Sequence, residues 1–293
     1  MVIDMSWQDA ARMRDIPVRV RIPVSAGPWP VVLHSHGLGG SRDGGDAWGS
    51  AWSTAGFLVV HLQHAGSDMQ VLREGRFALS AAVGAEQLAA RVADVRFALD
   101  EIARRQRRAD AFWALAGLDA VGLSGHSFGA RTAQAMAGEK FPVPTQFADA
   151  RLKAFIALSP SSSQRLPVSE QFAAVNKPFL AVTGSLDGDP MGGFSSGEPR
   201  ARVYQGLPAG QRALLWLDGA DHMTFSGNAE RRINGPGPLP RQPLAQQREV
   251  AHHALVARVT TLWWRARLLD DAAATAALQR VEGLVPGDRL ELG

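Results

Sequence analysis

Near-continuous apolar runs recur along the chain, separated by stretches that read as helix or turn. Val31 to Ser35, Phe57 to Gln63, Val121 to Ser124, Phe155 to Leu158, Phe179 to Thr183 and Leu214 to Leu217 are runs of this kind. A strand with one wet face alternates apolar and polar residues, whereas a run with little polar interruption suits a strand covered on both faces. Strands of that type alternating with helices predict a mostly parallel sheet with helices on either side, an α/β architecture. Val18 to Ile22 reads as a further, earlier strand ended by Pro23. The clearest helix runs from about Glu86 to Arg105. There Leu88, Val92, Val95, Leu99 and Ile102 step by four, three, four and three, which makes one apolar stripe. A second helix opens at Ser127 and closes near Gly138, and Leu244 to Leu269 reads as a long amphipathic helix in one or two pieces. No repeat and no linker interrupts the pattern, so residues 1–293 are expected to form one domain.

Of 293 residues, 46% are hydrophobic and 20% charged, enough to build a core without a metal or disulfide. There is no cysteine, which excludes both disulfides and a thiol nucleophile. A net charge of +3 is too small and dispersed for a nucleic-acid surface. Its densest cluster, Arg104, Arg105, Arg107 and Arg108, sits where cations complement a helix C-terminus. No apolar run is long enough to span a bilayer. The first residues lack the charged and apolar regions of an export signal, which predicts a cytoplasmic location; secretion with the signal removed is the other reading.

Gly125-His126-Ser127-Phe128-Gly129 matches G-x-S-x-G and lies between a strand and a helix. That context belongs to a nucleophile elbow, a strained turn that projects the serine hydroxyl above the sheet. Glycine on either side avoids Cβ clashes there, and the helix N-terminus favours negative charge. The partners of such a serine follow in the order acid, base. Asp187 lies just beyond the run Phe179 to Thr183 and is the expected acid, with Asp189 its rival. His222 follows the run Leu214 to Leu217 and is the expected base. Val31 to Ser35 leads into His36-Gly37-Leu38-Gly39-Gly40, so the backbone N–H groups of Leu38 and Phe128 are the expected oxyanion donors. His36 reads as a structural residue of that loop. His61 and His64 have no partner at metal-ligand spacing, and His252 and His253 read as solvated residues of a helix. Gly37, His126, Met223 and Phe225 are the expected substrate contacts. No metal or other cofactor is expected.

Taken together, Ser35-His36-Gly37-Leu38-Gly39-Gly40, His64-Ala65-Gly66-Ser67-Asp68, Asp94-Val95-Arg96-Phe97-Ala98-Leu99-Asp100, the elbow, and Gly219-Ala220-Asp221-His222-Met223-Thr224-Phe225 carry a resemblance. In them the chain resembles bacterial α/β-hydrolases of the dienelactone-hydrolase-like and platelet-activating-factor-acetylhydrolase-like group, related to cutinase-type polyester hydrolases. The resemblance implies an α/β-hydrolase fold and a serine carboxylesterase acting on small-molecule or polymeric esters. Only Pro160 to Lys177 separates two strands where a cap domain would be inserted, so no large cap and an open cleft are expected. The same residues would serve a thioesterase or amidase, and a non-catalytic binding protein of this fold is a third reading. The Gly/Pro-rich stretches Gly184 to Pro199 and Ser226 to Pro243 are longer than ordinary connections; each follows a candidate site residue and is expected to flank the cleft.

Overall fold

The computed structural model describes residues 1–73, 81–142, 145–228 and 241–293. Its strands are β1 (Val2–Asp9), β2 (Arg14–Arg21), β3 (Trp29–Ser35), β4 (Leu58–Leu62), β5 (Ala116–His126), β6 (Leu152–Leu158), β7 (Phe179–Leu186), β8 (Arg212–Asp221) and β9 (Arg289–Leu292). Its helices are α1 (Asp46–Thr54), α2 (Ala85–Arg107), α3 (Phe128–Ala137), α4 (Val168–Phe172), α5 (Glu198–Gly206), α6 (Pro243–Leu268) and α7 (Ala272–Leu278). The strands form one sheet in the order β1-β2-β4-β3-β5-β6-β7-β8-β9. Strands β4, β3, β5, β6, β7 and β8 run parallel. Antiparallel strands close both edges, β1 and β2 at one and β9 at the other.

The predicted interior strands are all present, and their apolar continuity has a simple cause. In β3, Val31 and Leu33 enter a core cluster with the α2 stripe, while Val32 enters another with Trp48 and Trp52 of α1 and Trp263 and Trp264 of α6. Successive side chains point to opposite faces, and here each face has a helix layer on it. All five residues of the α2 stripe are buried. Helix α6 is one uninterrupted element, tied to α1 where the Trp52 indole N–H donates to Thr260 Oγ1 at 2.9 Å.

His252 and His253 depart from the solvated reading. His252 is 2% exposed. His253 sends Nε2–H to the Thr224 carbonyl at 2.9 Å and meets Trp48 edge-on at 5.1 Å. Helix α6 is covered by α1 on one side and by the end of β8 on another, so adjacent positions are both enclosed.

Chain order reverses between β3 and β5: β4 pairs on one side of β3 and β5 on the other. A crevice opens at the carboxyl ends of strands at such a switch point. The end of β3 there carries the glycine-rich loop, and the end of β5 carries Ser127. Between β6 and β7 the only helix is α4, five residues long, so no cap is inserted. Residues 229–240, most of the second predicted loop, lie outside the described residues. Among the described residues no helix is long and apolar enough to cross a membrane.

Candidate active site

Ser127 stands at the break between β5 and α3 with φ 55° and ψ −113°, a sparsely populated conformation that costs about 1–3 kcal/mol for a non-glycine residue. Its neighbours show what maintains the strain. A Cβ on Gly125 would lie 2.2 Å from the Gly129 backbone, and one on Gly129 would lie 1.8 Å from the Ser35 carbonyl oxygen. The glycines therefore let β3, β5 and α3 approach more closely than any side chain permits. The Ser127 N–H is held by the Leu158 carbonyl at 2.9 Å.

Two later strands deliver the partners. Asp187 follows β7 directly. His222 follows β8 and opens a 3₁₀ turn, His222–Ser226, capped by Asp221, whose carboxylate accepts the Thr224 N–H at 2.9 Å. His222 Nε2 lies 3.0 Å from Ser127 Oγ, and its Nδ1 lies 2.9 Å from Asp187 Oδ1. Asp187 Oδ2 accepts from Ser159 Oγ at 2.5 Å and Thr183 Oγ1 at 2.8 Å. Burial opposes ionisation of Asp187, but the Arg200 cation beside it and the His222 and Ser159 hydrogen bonds outweigh burial and hold the carboxyl below its ordinary range. Asp189 turns away; its carboxylate accepts the backbone N–H groups of Met191 and Gly193 at 3.0 and 3.1 Å.

His126 lies beneath His222 instead of lining the cleft. Its Nε2–H donates to the His222 carbonyl at 3.0 Å, and the two rings sit 4.8 Å apart. Burial, reinforced by His222, pushes His126 down to about 3 and leaves it neutral. Phe225 departs further from its expected role. It is 0% exposed within the core around Trp48, and only its carbonyl acts, accepting the Trp48 indole N–H at 3.2 Å. Met223 and Gly37 stay at the site. Met223 lines a cleft of about 520 Å³ beside His222, with Leu186, Phe194, Asp189 and Arg241. A Cβ on Gly37 would touch His126 and Ser127, so the glycine loop lies directly against the serine.

That loop is held from below by a buried network. Arg91, buried on the face of α2 that carries the stripe, donates to Ser67 Oγ at 2.8 Å, Ser35 Oγ at 2.9 Å, Thr132 Oγ1 at 3.1 Å and the His36 carbonyl. Its guanidinium also lies 4.6 Å from the Phe128 ring. Arg91 thus grips both the loop that carries Leu38 and the first turn of α3. The N–H groups of Leu38 and Phe128 have no acceptor among the described residues; at Phe128 this is the ordinary state of a helix N-terminus. Burial pushes Arg91 down to about 9, still a cation at neutral pH.

Ser35 Oγ also meets His64 Nε2 at 2.9 Å, and His64 Nδ1 meets Asp94 Oδ2 at 2.9 Å. Burial pushes His64 down to about 4, so the ring is neutral, with Nδ1–H donating to Asp94. Asp94 also pairs with Arg12 and Arg14 at 2.8 Å each. His36 Nε2 accepts the His64 N–H at 3.0 Å, so His36 is a loop fastener. Among the described residues no group of three potential metal ligands gathers. Sequence reasoning missed Arg91, Ser159, Thr183 and Arg200, none of which stands in a recognisable motif.

No family model and no curated protein matches the sequence. Among solved structures the chain is similar to a 2,6-dihydroxy-pseudo-oxynicotine hydrolase. The TM-score is 0.57 at 15% identity, over 92% of this chain and 68% of that one. With the sheet order and the strand–elbow–helix connection, this likeness defines the class: the protein has the α/β-hydrolase fold.

Proposed function

We propose that the protein is a serine carboxylic ester hydrolase in which Ser127 is the nucleophile, His222 the base and Asp187 its orienting acid. The observation that supports this most is the hydrogen-bonded line from Ser127 through His222 to Asp187, built on a strained turn, with His222 also lining a cleft. As Ser127 Oγ attacks the ester carbonyl carbon, its proton passes to His222 Nε2, while Asp187 keeps Nδ1–H aimed at itself. The negative oxygen of the tetrahedral intermediate faces the N–H groups of Leu38 and Phe128. Each such donor contributes about 3 kcal/mol. Collapse expels the alcohol, which takes the proton from His222. Water, deprotonated by His222, then attacks the acyl-enzyme, and the acid leaves as Ser127 regains its proton.

Leu186, Phe194 and Met223 give the cleft an apolar wall, and the absence of a cap between β6 and β7 suits bulky or extended esters, polyesters among them. The test is labelling by a fluorophosphonate, together with turnover of p-nitrophenyl esters, matched anilides and acyl thioesters. Labelling of the wild type, none of Ser127→Ala, and preference for esters are expected. Preference for thioesters or anilides would keep the triad and replace the substrate class. An unlabelled, inert wild type would leave a binding protein.

A further inference from the structure

Arg200 is 4% exposed, the third residue of α5, and packed against the candidate acid–base pair. Its Nε–H lies 2.8 Å from both Oδ1 and the carbonyl oxygen of Asp187. Nη1 donates to the carbonyls of Ser159 at 3.2 Å and Pro160 at 3.1 Å. Nη2 donates to the Gly188 carbonyl at 2.9 Å and lies 3.2 Å from His222 Nδ1. The fold thus gives Asp187 three kinds of partner: neutral hydroxyls, the imidazole, and one permanent cation.

We propose that Arg200 is a positioning residue for the triad, keeping Asp187 an anion so that the carboxylate goes on accepting His222 Nδ1–H in acidic solution. The inference rests on the reading of Ser127, His222 and Asp187 given above. A carboxylate with no solvent exposure favours its neutral form unless a charge compensates it. Ser159 and Thr183 supply hydrogen bonds but no net charge. The ionisable groups facing Asp187 are Arg200 from α5, His222 from the turn after β8 and His126 from the end of β5, and His126 is neutral. Arg200 is the one that brings a guanidinium charge. Once protonated, Asp187 no longer demands a proton on Nδ1. The imidazole can then carry its hydrogen on Nε2, where it cannot receive the Ser127 proton. The guanidinium also opposes the positive charge that the ring gains during turnover, so its removal would speed the reaction if that effect ruled.

The measurement is kcat/KM for an ester from about pH 5 to about pH 9, for wild type, Arg200→Gln, Arg200→Lys, Asp187→Asn and the double variant. Asp187 is ionised with Arg200 present, and loss of the cation raises its protonation point. The deficit of Arg200→Gln therefore grows as pH falls, and a protonation point carried about one unit above the acid end of the range makes the added deficit there roughly tenfold. Arg200→Lys, with the charge but not the fork, recovers part of that acid-end loss. Asp187→Asn/Arg200→Gln is no slower than Asp187→Asn, because a neutral side chain has no use for the cation. Should Arg200→Gln melt early, Arg200→Lys and the double variant, which loses both charges together, carry the test. A deficit equal at all pH, a faster Arg200→Gln, or additive losses in the double variant would overturn the proposal. Turnover by Ser127→Ala would instead overturn the triad reading beneath it.

Discussion

Two aspartates stand two residues apart beyond β7, and the turn between them sends their carboxylates to different tasks. Asp187 is enclosed with His222, Ser159, Thr183 and Arg200, whereas Asp189 holds backbone N–H groups of its own loop. Asp187→Asn is expected to lower kcat/KM by about 10⁴-fold through the wrong imidazole tautomer. Asp189→Asn keeps an acceptor for the same amides and should cost less than about tenfold. Comparable losses in the two variants would reverse the assignment. Distance from the strand end and chain order singled out Asp187 in the sequence, and the structure sets its carboxylate beside His222. Arg200 was not legible: an arginine in the first turn of a short helix looks solvated until α5 folds back over residues 187–197. Phe225 misled for a geometric reason. Phe225 was expected at the site as an apolar residue close to His222, but on a 3₁₀ turn residues two apart point to different sides, and Phe225 packs into the core while Met223 lines the cleft.

At the scale of elements, legibility followed burial on two faces. Interior strands stood out because both faces needed apolar residues. Edge strands β1 and β9 did not, since β1 alternates exposed and enclosed residues and β9 is four residues long. The α2 stripe was readable, but the buried Arg91 and Asp94 beside it were not, because they look like the helix's solvated flank until the loops after β3 and β4 cover them. The elbow is where local sequence constrains most. Gly129→Ala would place a methyl group inside the Ser35 carbonyl, with no flexible side chain to yield. The expected cost is at least about 3 kcal/mol, the upper end for overpacking, read as a lower urea midpoint. An unshifted midpoint would mean that β3 and α3 stand further apart than described.

For the molecule as a whole, the sheet ends at each side on strands from opposite ends of the chain. Strand β9 covers β8, with Leu290 and Leu292 against the core and Asp288 Oδ1 accepting the Asp218 N–H at 2.8 Å. Removing residues 286–293 would bare the edge of the strand that carries His222. Loss of about 2 kcal/mol from the two partly buried leucines, and association through the open edge, are expected. Thermal melting and light scattering measure both, and an unchanged melting temperature with a monodisperse product would contradict this role for β9. Reading function from spacing alone has its own hazard here. Ser35, His64 and Asp94 repeat the separations of Ser127, His222 and Asp187 almost to the decimal, 2.9 and 2.9 Å against 3.0 and 2.9 Å. A geometric template drawn from hydrolases would land twice on this protein. One of the two sets is buried throughout, its hydroxyl already gripped by a guanidinium. Matching three side chains is therefore not sufficient to find a reaction centre; an approach path for the reactant tells the two apart.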